Sequence, residues 1–229
     1  MIISGLQKLT LLDYPTKIAC TVFTSGCNFR CPFCHNATLV LEKPEELMSE
    51  DDFFAFLKLR KGMLQGVCVT GGEPTLQKDL CSFLGKIKAL GYSVKLDTNG
   101  YRPDVLKKVV EEKLCDYVAM DIKNSQEKYG LTTGIENFNI EPIKESVNYL
   151  LQGNVDFEFR TTVVKELHTE EDILKITEWI KGAPKYFLQG FVDSGDIIKD
   201  GFSGYSQNSM ENMLKVAKTN IPNTELRGV

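Results

Sequence analysis

The sequence predicts an α/β fold, an open partial (β/α)6 barrel, on three observations. Short β-branched or apolar runs alternate with segments of helical period, the pattern of βα units around a parallel sheet. The chain has 229 residues, whereas a closed eightfold barrel typically takes about 250. No internal repeat, low-complexity tract or linker divides it, so residues 1–229 read as one domain. A doubly wound sheet is the alternative, and both arrangements put ligands at the carboxyl ends of the strands.

Six runs read as strands: Ile18–Thr24, Gly66–Thr70, Ser93–Asp97, Asp116–Asp121, Asp156–Val163 and Lys185–Gln189. Helices are expected at Ser49–Lys61, Leu76–Leu90, Pro103–Lys113, Glu141–Leu151 and Thr169–Lys181, with Ser206–Thr219 after the last strand. Start signals support several of these. Ser49 is followed by Asp52, Thr169 by Asp172, and Pro103 stands at a first helical position.

Composition sets the outer limits. A hydrophobic fraction of 42% is enough for one sizeable core. Lys and Arg number 27 against 31 Asp and Glu, a formal net charge of -4, so no positive field gathers nucleic acid or an acidic membrane. The longest apolar run, Ile18 to Phe23, is far short of the roughly 20 residues that span a bilayer. Seven cysteines with no export segment in view point to a reduced, cytoplasmic setting, where closely spaced thiols are metal or redox candidates.

The turn after each strand carries the chemistry. The first strand leads into Thr24-Ser25-Gly26-Cys27-Asn28-Phe29-Arg30-Cys31-Pro32-Phe33-Cys34-His35-Asn36, with three cysteines in a loop marked by Gly26 and Pro32. Zinc on three thiolates and His35 is one reading, weakened because adjacent side chains, here Cys34 and His35, usually point apart. An iron-sulfur cubane takes four corner ligands, commonly all cysteine, so three would leave one iron open. Cys20, Cys68, Cys81 and Cys115 are scattered and read as small buried side chains.

The second strand ends in Gly71-Gly72-Glu73-Pro74, where paired glycines would let a ligand touch the backbone. The third ends in Asp97-Thr98-Asn99-Gly100, which a simple Asn-Gly turn also explains. On the fourth, Asp121 and Lys123 share a face by strand spacing, either as a structural ion pair or as part of a site. On the fifth, Glu158, Arg160 and Thr162 point one way. If that way is inward, the guanidinium needs an anionic partner. The stretch Glu42 to Asp52 is acid-rich and borders the cysteine loop.

The run Cys27-x3-Cys31-x-Phe33-Cys34, followed by Gly71-Gly72-Glu73-Pro74, resembles the radical S-adenosylmethionine enzymes. With Gly5-Leu6-Gln7-Lys8-Leu9-Thr10-Leu11-Leu12-Asp13-Tyr14-Pro15 ahead of it, the chain looks like the anaerobic ribonucleoside-triphosphate reductase activating proteins, relatives of the pyruvate formate-lyase activating enzymes. The resemblance is strongest over residues 5 to 124 and thin beyond Val163. It implies a radical SAM barrel in which Cys27, Cys31 and Cys34 hold one [4Fe-4S] cluster and so carry the catalysis. The open iron would chelate S-adenosylmethionine. Phe33 and the backbone around His35 would meet the adenine, and Gly71, Gly72 and Glu73 the methionine amino group. Asn99 is grouped with the cofactor-binding residues.

In formate-lyase activases the acids matching Asp97 and Asp121 help bind a monovalent cation, and the lysine matching Lys123 lies near the methionine carboxylate. Arg160 would match their fifth-strand arginine. Two departures stand out: many relatives have glycine where this chain has Thr16, and the activases' histidine near the last strand has at best Gln189 here. The implied activity is reductive cleavage of S-adenosylmethionine to a 5'-deoxyadenosyl radical. That radical takes hydrogen from a glycine of the partner, an anaerobic ribonucleoside-triphosphate reductase. Flavodoxin or ferredoxin would be the electron donor. Competing expectations are an activase of another glycyl radical enzyme, a radical enzyme acting on a small molecule such as a nucleobase precursor, and a non-catalytic zinc-binding protein.

Overall fold

The computed structural model describes residues 1–43, 46–193 and 195–228. Pro44 and Glu45 of the acidic stretch lie outside the described residues. One eight-stranded sheet runs in chain order: β1 (Ile3–Thr10), β2 (Ala19–Thr24), β3 (Gly66–Gly71), β4 (Ser93–Thr98), β5 (Tyr117–Asp121), β6 (Asp156–Val163), β7 (Tyr186–Gly190) and β8 (Thr224–Arg227). Only the β1–β2 pairing is antiparallel. β1 and β8 form the two edges and do not pair with each other, so the sheet curves without closing.

The helices are α1 (Ala37–Leu41), α2 (Glu50–Leu59), α3 (Leu80–Ala89), α4 (Pro103–Glu111), α5 (Tyr129–Thr133), α6 (Glu141–Leu151), α7 (Glu170–Trp179) and α8 (Gln207–Lys218). The start signals act as read. Ser49 accepts from the Asp52 N–H, and Thr169 and Asp172 form a reciprocal capping box. Six expected strands become eight. β1 hides in the sequence because three of its residues in a row, Gln7 to Leu9, are exposed, as an edge strand allows. β8 is only four residues long, Thr-Glu-Leu-Arg. The helix expected from Leu76 begins at Leu80, since Pro74–Leu76 form a separate 3-10 turn.

The period of two along each strand sorts the residues into two environments. One face presents Val22, Val67, Val69, Val94, Leu96, Val118, Met120 and Phe159 to helix residues such as Phe53, Leu57, Phe83, Leu84 and Ile87, and this is the core. The other face lines the lumen with Lys95, Asp97, Asp121, Glu158 and Arg160, all drawn into ion pairs. Apolar material therefore lies outside the sheet, and charge lies inside.

The amino end of the lumen is stopped by the β1–β2 turn. Buried Tyr14 packs against Tyr117 with ring centres 6.2 Å apart and planes tilted by 47°, and it donates to the Val94 carbonyl at 3.4 Å. To make this turn Thr16 adopts φ +64, a left-handed conformation that costs a β-branched residue about 1–2 kcal/mol. Its side chain is exposed, so nothing compensates through packing. Thr16→Gly is expected to raise stability by about 1 kcal/mol, less than the full strain because glycine also loses more chain entropy on folding. Urea unfolding checks this, with a higher midpoint and unchanged slope as the expected result.

Candidate functional site

The cysteine loop is anchored by buried Phe29 and Phe33 and is fixed further through its main chain. Gly26 N–H donates to Leu39 at 2.8 Å, Arg30 N–H to Thr133 at 2.9 Å, and the Pro32 carbonyl accepts from Lys199 N–H at 2.9 Å. The turn after β3 locks the loop's entry: Gly72 N–H donates to Thr24 O and Glu73 N–H to Gly26 O, both at 2.8 Å. A Cβ on Gly71 would stand 2.2 Å from Thr24 O, and one on Gly72 would stand 2.1 Å from Gly26 O. The paired glycines are needed because two stretches of backbone cross there. A ligand approaching the turn is not what excludes a side chain at these positions.

All thirteen residues singled out from sequence line one cavity of about 220 Å³ at the carboxyl ends of the strands. Cys31 is buried, with Cys27 and Cys34 half-buried on the same wall. Burial pushes the Cys27 thiol up to about 11 and that of Cys31 up to about 12, so a protonated pair is the resting state without a positive partner. Cys27 Sγ faces donors: Phe29 N–H at 3.3 Å and Asn99 Nδ2 at 3.8 Å. Asn28, whose Oδ1 accepts from Asn99 Nδ2 at 2.8 Å, keeps a buried Nδ2 with no hydrogen-bond partner.

Glu73 is surrounded by donors of the chain itself. Its carboxylate accepts from Thr75 N–H at 3.0 Å, Thr98 Oγ1 at 2.8 Å and Asn99 N–H at 2.6 Å, with Thr75 Oγ1 as a further donor at 2.5 Å. It joins the β3 turn to the end of β4. Burial raises its pKa despite these bonds. Phe33 is buried edge-on against Phe191 and Phe202. His35 stacks at 5.1 Å on Phe191, and its Nε2 lies 2.7 Å from the Val192 carbonyl.

Across the cavity a chain of charges spans three strands. Arg160 points inward, donating to Asp97 at 3.1 Å and to Asp121 at 3.0 Å. Lys123 pairs with Asp121 at 3.0 Å, and Lys95 pairs with Asp97. Burial alone would raise the Asp121 carboxyl, but Arg160 and Lys123 outweigh it and hold it at about 2. For Lys123, burial opposes the charge and Asp121 and Cys31 more than restore it, so its pKa is raised. Sequence reasoning missed Lys95, whose signal was a cationic residue in strand register two before Asp97. It also missed His168, which is buried, accepts from Val164 N–H at 3.1 Å and donates to the Lys123 carbonyl at 2.8 Å.

The donor set fits an iron-sulfur cluster better than zinc. Zn–S bonds of about 2.3 Å require ligand atoms drawn tightly around one point. Among the described residues, no three His, Cys, Asp or Glu side chains are arranged to hold a single metal ion. His35 is directed to the Val192 carbonyl. Three thiols spread along one wall, with amide donors on Cys27 and an unpartnered Asn28 amide close by, suit a polynuclear, sulfide-rich group. A monovalent cation at Asp97 and Asp121 does not fit, because each carboxylate oxygen already accepts from a cationic side chain.

Residues 21–180 match the model of the Radical SAM superfamily. A Methanocaldococcus jannaschii protein, MJ1227, which carries the name of a glycyl-radical enzyme activating enzyme, is 33% identical over 100% of this chain and 96% of its own length. A 7-carboxy-7-deazaguanine synthase of Koribacter versatilis is 31% identical over 70% of this chain and 69% of its own. Among solved structures, Streptococcus suis SuiB bound to S-adenosylmethionine superposes with a TM-score of 0.71 at 15% identity, covering 90% of this chain. The chain spans about half of that structure, 49%. A domain of pyruvate-formate lyase-activating enzyme from Bacteroides vulgatus superposes at 0.58 and 16% identity, covering 71% of this chain and 99% of that domain.

The backbone crossing generates a contrast between two glycines. Gly72→Ala is expected to cost about 3 kcal/mol or more, because main chain must move, and to raise the reaction rate of the cavity thiols with a disulfide reagent. Gly85 in α3 meets nothing closer than Leu114 at 3.8 Å, so Gly85→Ala should stabilise by about 0.5–1 kcal/mol through helix propensity. Thermal unfolding of the two variants, with thiol titration of the first, checks both.

Proposed function

The chain belongs to the Radical SAM superfamily, and from that premise we propose that it activates a glycyl radical enzyme, with anaerobic ribonucleoside-triphosphate reductase as its target. The observation that carries this reading is the match to MJ1227 along essentially the whole of both chains. The motif order around the cysteine loop supports it, as does the placement of every singled-out residue on one open cavity.

When bound, the cluster and S-adenosylmethionine supply the electron and the 5'-deoxyadenosyl radical. What this chain's residues do can be assigned separately. Cys27, Cys31 and Cys34 would hold the cluster. The raised thiol pKa values of Cys27 and Cys31 mean that ligation displaces their protons to form the thiolates. Asn99 and the Phe29 N–H would stabilise the Cys27 sulfur. Lys123, paired with Asp121 and anchored by His168 on its carbonyl, would meet the methionine carboxylate. The main chain of Gly71 and Gly72, Phe33 and the backbone around His35 would line the remaining cofactor surface. Glu73 would act through position, by holding Asn99.

The similarity to a 7-carboxy-7-deazaguanine synthase favours a second reading, a small-molecule substrate. Anaerobic assay separates the two. Reconstituted, reduced protein with S-adenosylmethionine should generate a glycyl signal in electron paramagnetic resonance on a separate anaerobic reductase. Deuterium at the target glycine's α carbon should appear in 5'-deoxyadenosine. Alanine at Cys27, Cys31 or Cys34 should abolish iron retention, while alanine at Cys20, Cys68, Cys81 or Cys115 should leave it unchanged. Cleavage that needs a small molecule and never takes glycine deuterium would establish the second reading.

A further inference from the structure

Lys95 is a cation with nowhere to meet water. It sits on β4, 1% exposed, with its Nζ on Asp97 and 3.8 Å from Cys68 Sγ. A lysine in this position is not explained by packing, since a buried ammonium is retained only where it is paired. Its pair, Asp97, is shared. Asp97 Oδ1 accepts from Lys95 and Oδ2 from Arg160, while Asp121 Oδ1 accepts from Arg160 and Oδ2 from Lys123. The four carboxylate oxygens are thus divided among three cationic side chains, so this network sets three positive charges against two negative ones.

Sodium or potassium binds through oxygen ligands, several per ion. To seat one between Asp97 and Asp121, Arg160 or Lys95 would have to leave its carboxylate and stay buried without an equivalent partner. The added ion would also bring a further positive charge to a network that already holds three cations around two carboxylates. Farther toward the amino end, Glu158 is fully buried and taken up by Arg227 at 2.9 Å and by Tyr117 Oη at 3.0 Å, and Asp13 accepts from Thr21 Oγ1 at 2.5 Å.

We propose that Lys95, with Arg160 and Lys123, supplies from the chain itself the positive charge that related activases take from a monovalent cation, so that this site works without sodium or potassium. Lys95 is a positioning residue here: it neutralises Asp97 and leaves Arg160 held across to Asp121. The proposal rests on the reading of the cavity as an S-adenosylmethionine site, so its test has one arm with that ligand and one without.

In the first arm, S-adenosylmethionine is titrated calorimetrically into reconstituted protein in choline chloride, then in the same concentration of potassium or sodium chloride. Wild-type affinity should agree within threefold across the three salts. Lys95→Met should bind at least tenfold more weakly in choline and recover at least threefold in potassium or sodium. In the second arm, thermal unfolding of the protein without S-adenosylmethionine is followed in the same salts. The wild-type midpoint should not depend on the cation, whereas that of Lys95→Met should rise in potassium or sodium over choline. A wild-type affinity or midpoint that rises with either ion overturns the proposal, as does a Lys95→Met variant indifferent to both. If Lys95→Met does not fold, Lys95→Gln takes its place and the wild-type comparison still decides. Absence of S-adenosylmethionine binding in every salt would overturn the reading of the cavity instead, and the unfolding arm would still judge the charge assignment.

Discussion

The close passage of two backbones, Gly71–Gly72 against Thr24–Gly26, is the constraint on which the rest of the site depends. A loop must present three thiols in fixed relation. Here buried Phe29 and Phe33 anchor it, and main-chain groups hold it as well: Gly72 and Glu73 bond its entry, Leu39 and Thr133 its body, and Lys199 its exit. These bonds come from four different segments, so sliding the loop would break partners in several directions at once. The short helices α1 and α5 take part in this, because they offer carbonyls to Gly26 and Arg30 while α5 also buries Tyr129.

The second organising fact is electrostatic. A curved sheet of this size could fill its lumen with apolar residues, as closed barrels do. This one places Lys95, Asp97, Asp121, Lys123, Glu158, Arg160 and Arg227 there, every one of them paired. Such networks contribute little net stability, because desolvation offsets their attraction. The stability comes from the outer face of the sheet, where the helices cover Val22, Val67, Val69 and their neighbours. The lumen is thereby freed for chemistry, with a fixed arrangement of charge that needs no reorganisation when an ionic ligand enters.

Much of this was legible in the sequence. Parallel strands buried on both sides announce themselves as apolar runs, and the turn after each strand was the right place to look, because the fold collects those turns at one end. The sequence could not disclose β1 and β8. An edge strand with one solvated side carries weak alternation, and Thr224–Arg227 is too short for any period to emerge. The inward direction of Arg160 depended on register, which a lone strand does not reveal. Glu73 shows a different limit. Its identity and place were legible, but the four donors that surround it come from Thr75, Thr98 and Asn99, and only the folded chain brings the end of β4 to the β3 turn. Thr16 is the converse case: the departure from glycine at that position was legible in the sequence, and the left-handed φ of +64 that gives it a physical meaning is visible only in the folded chain.

The segment where resemblance is thinnest proves to be physically joined to the motif where it is strongest. Beyond β7, Phe191 stacks on His35 and packs against Phe33, Phe202 covers Phe33 from another side, Asp196 accepts from Thr38, and Lys199 bonds Pro32. The cysteine loop therefore has one wall made of family motif and one made of residues beyond the segment that the family model matches. Fold and motif are shared by proteins whose names describe quite different substrates, from a glycyl radical activating enzyme to a deazaguanine synthase, so what separates them has to lie in parts the motif does not fix. In this molecule Phe191, Asp196, Lys199 and Phe202 meet that condition and touch the cysteine loop or the helix that follows it, so the setting of the thiols depends in part on residues outside the motif.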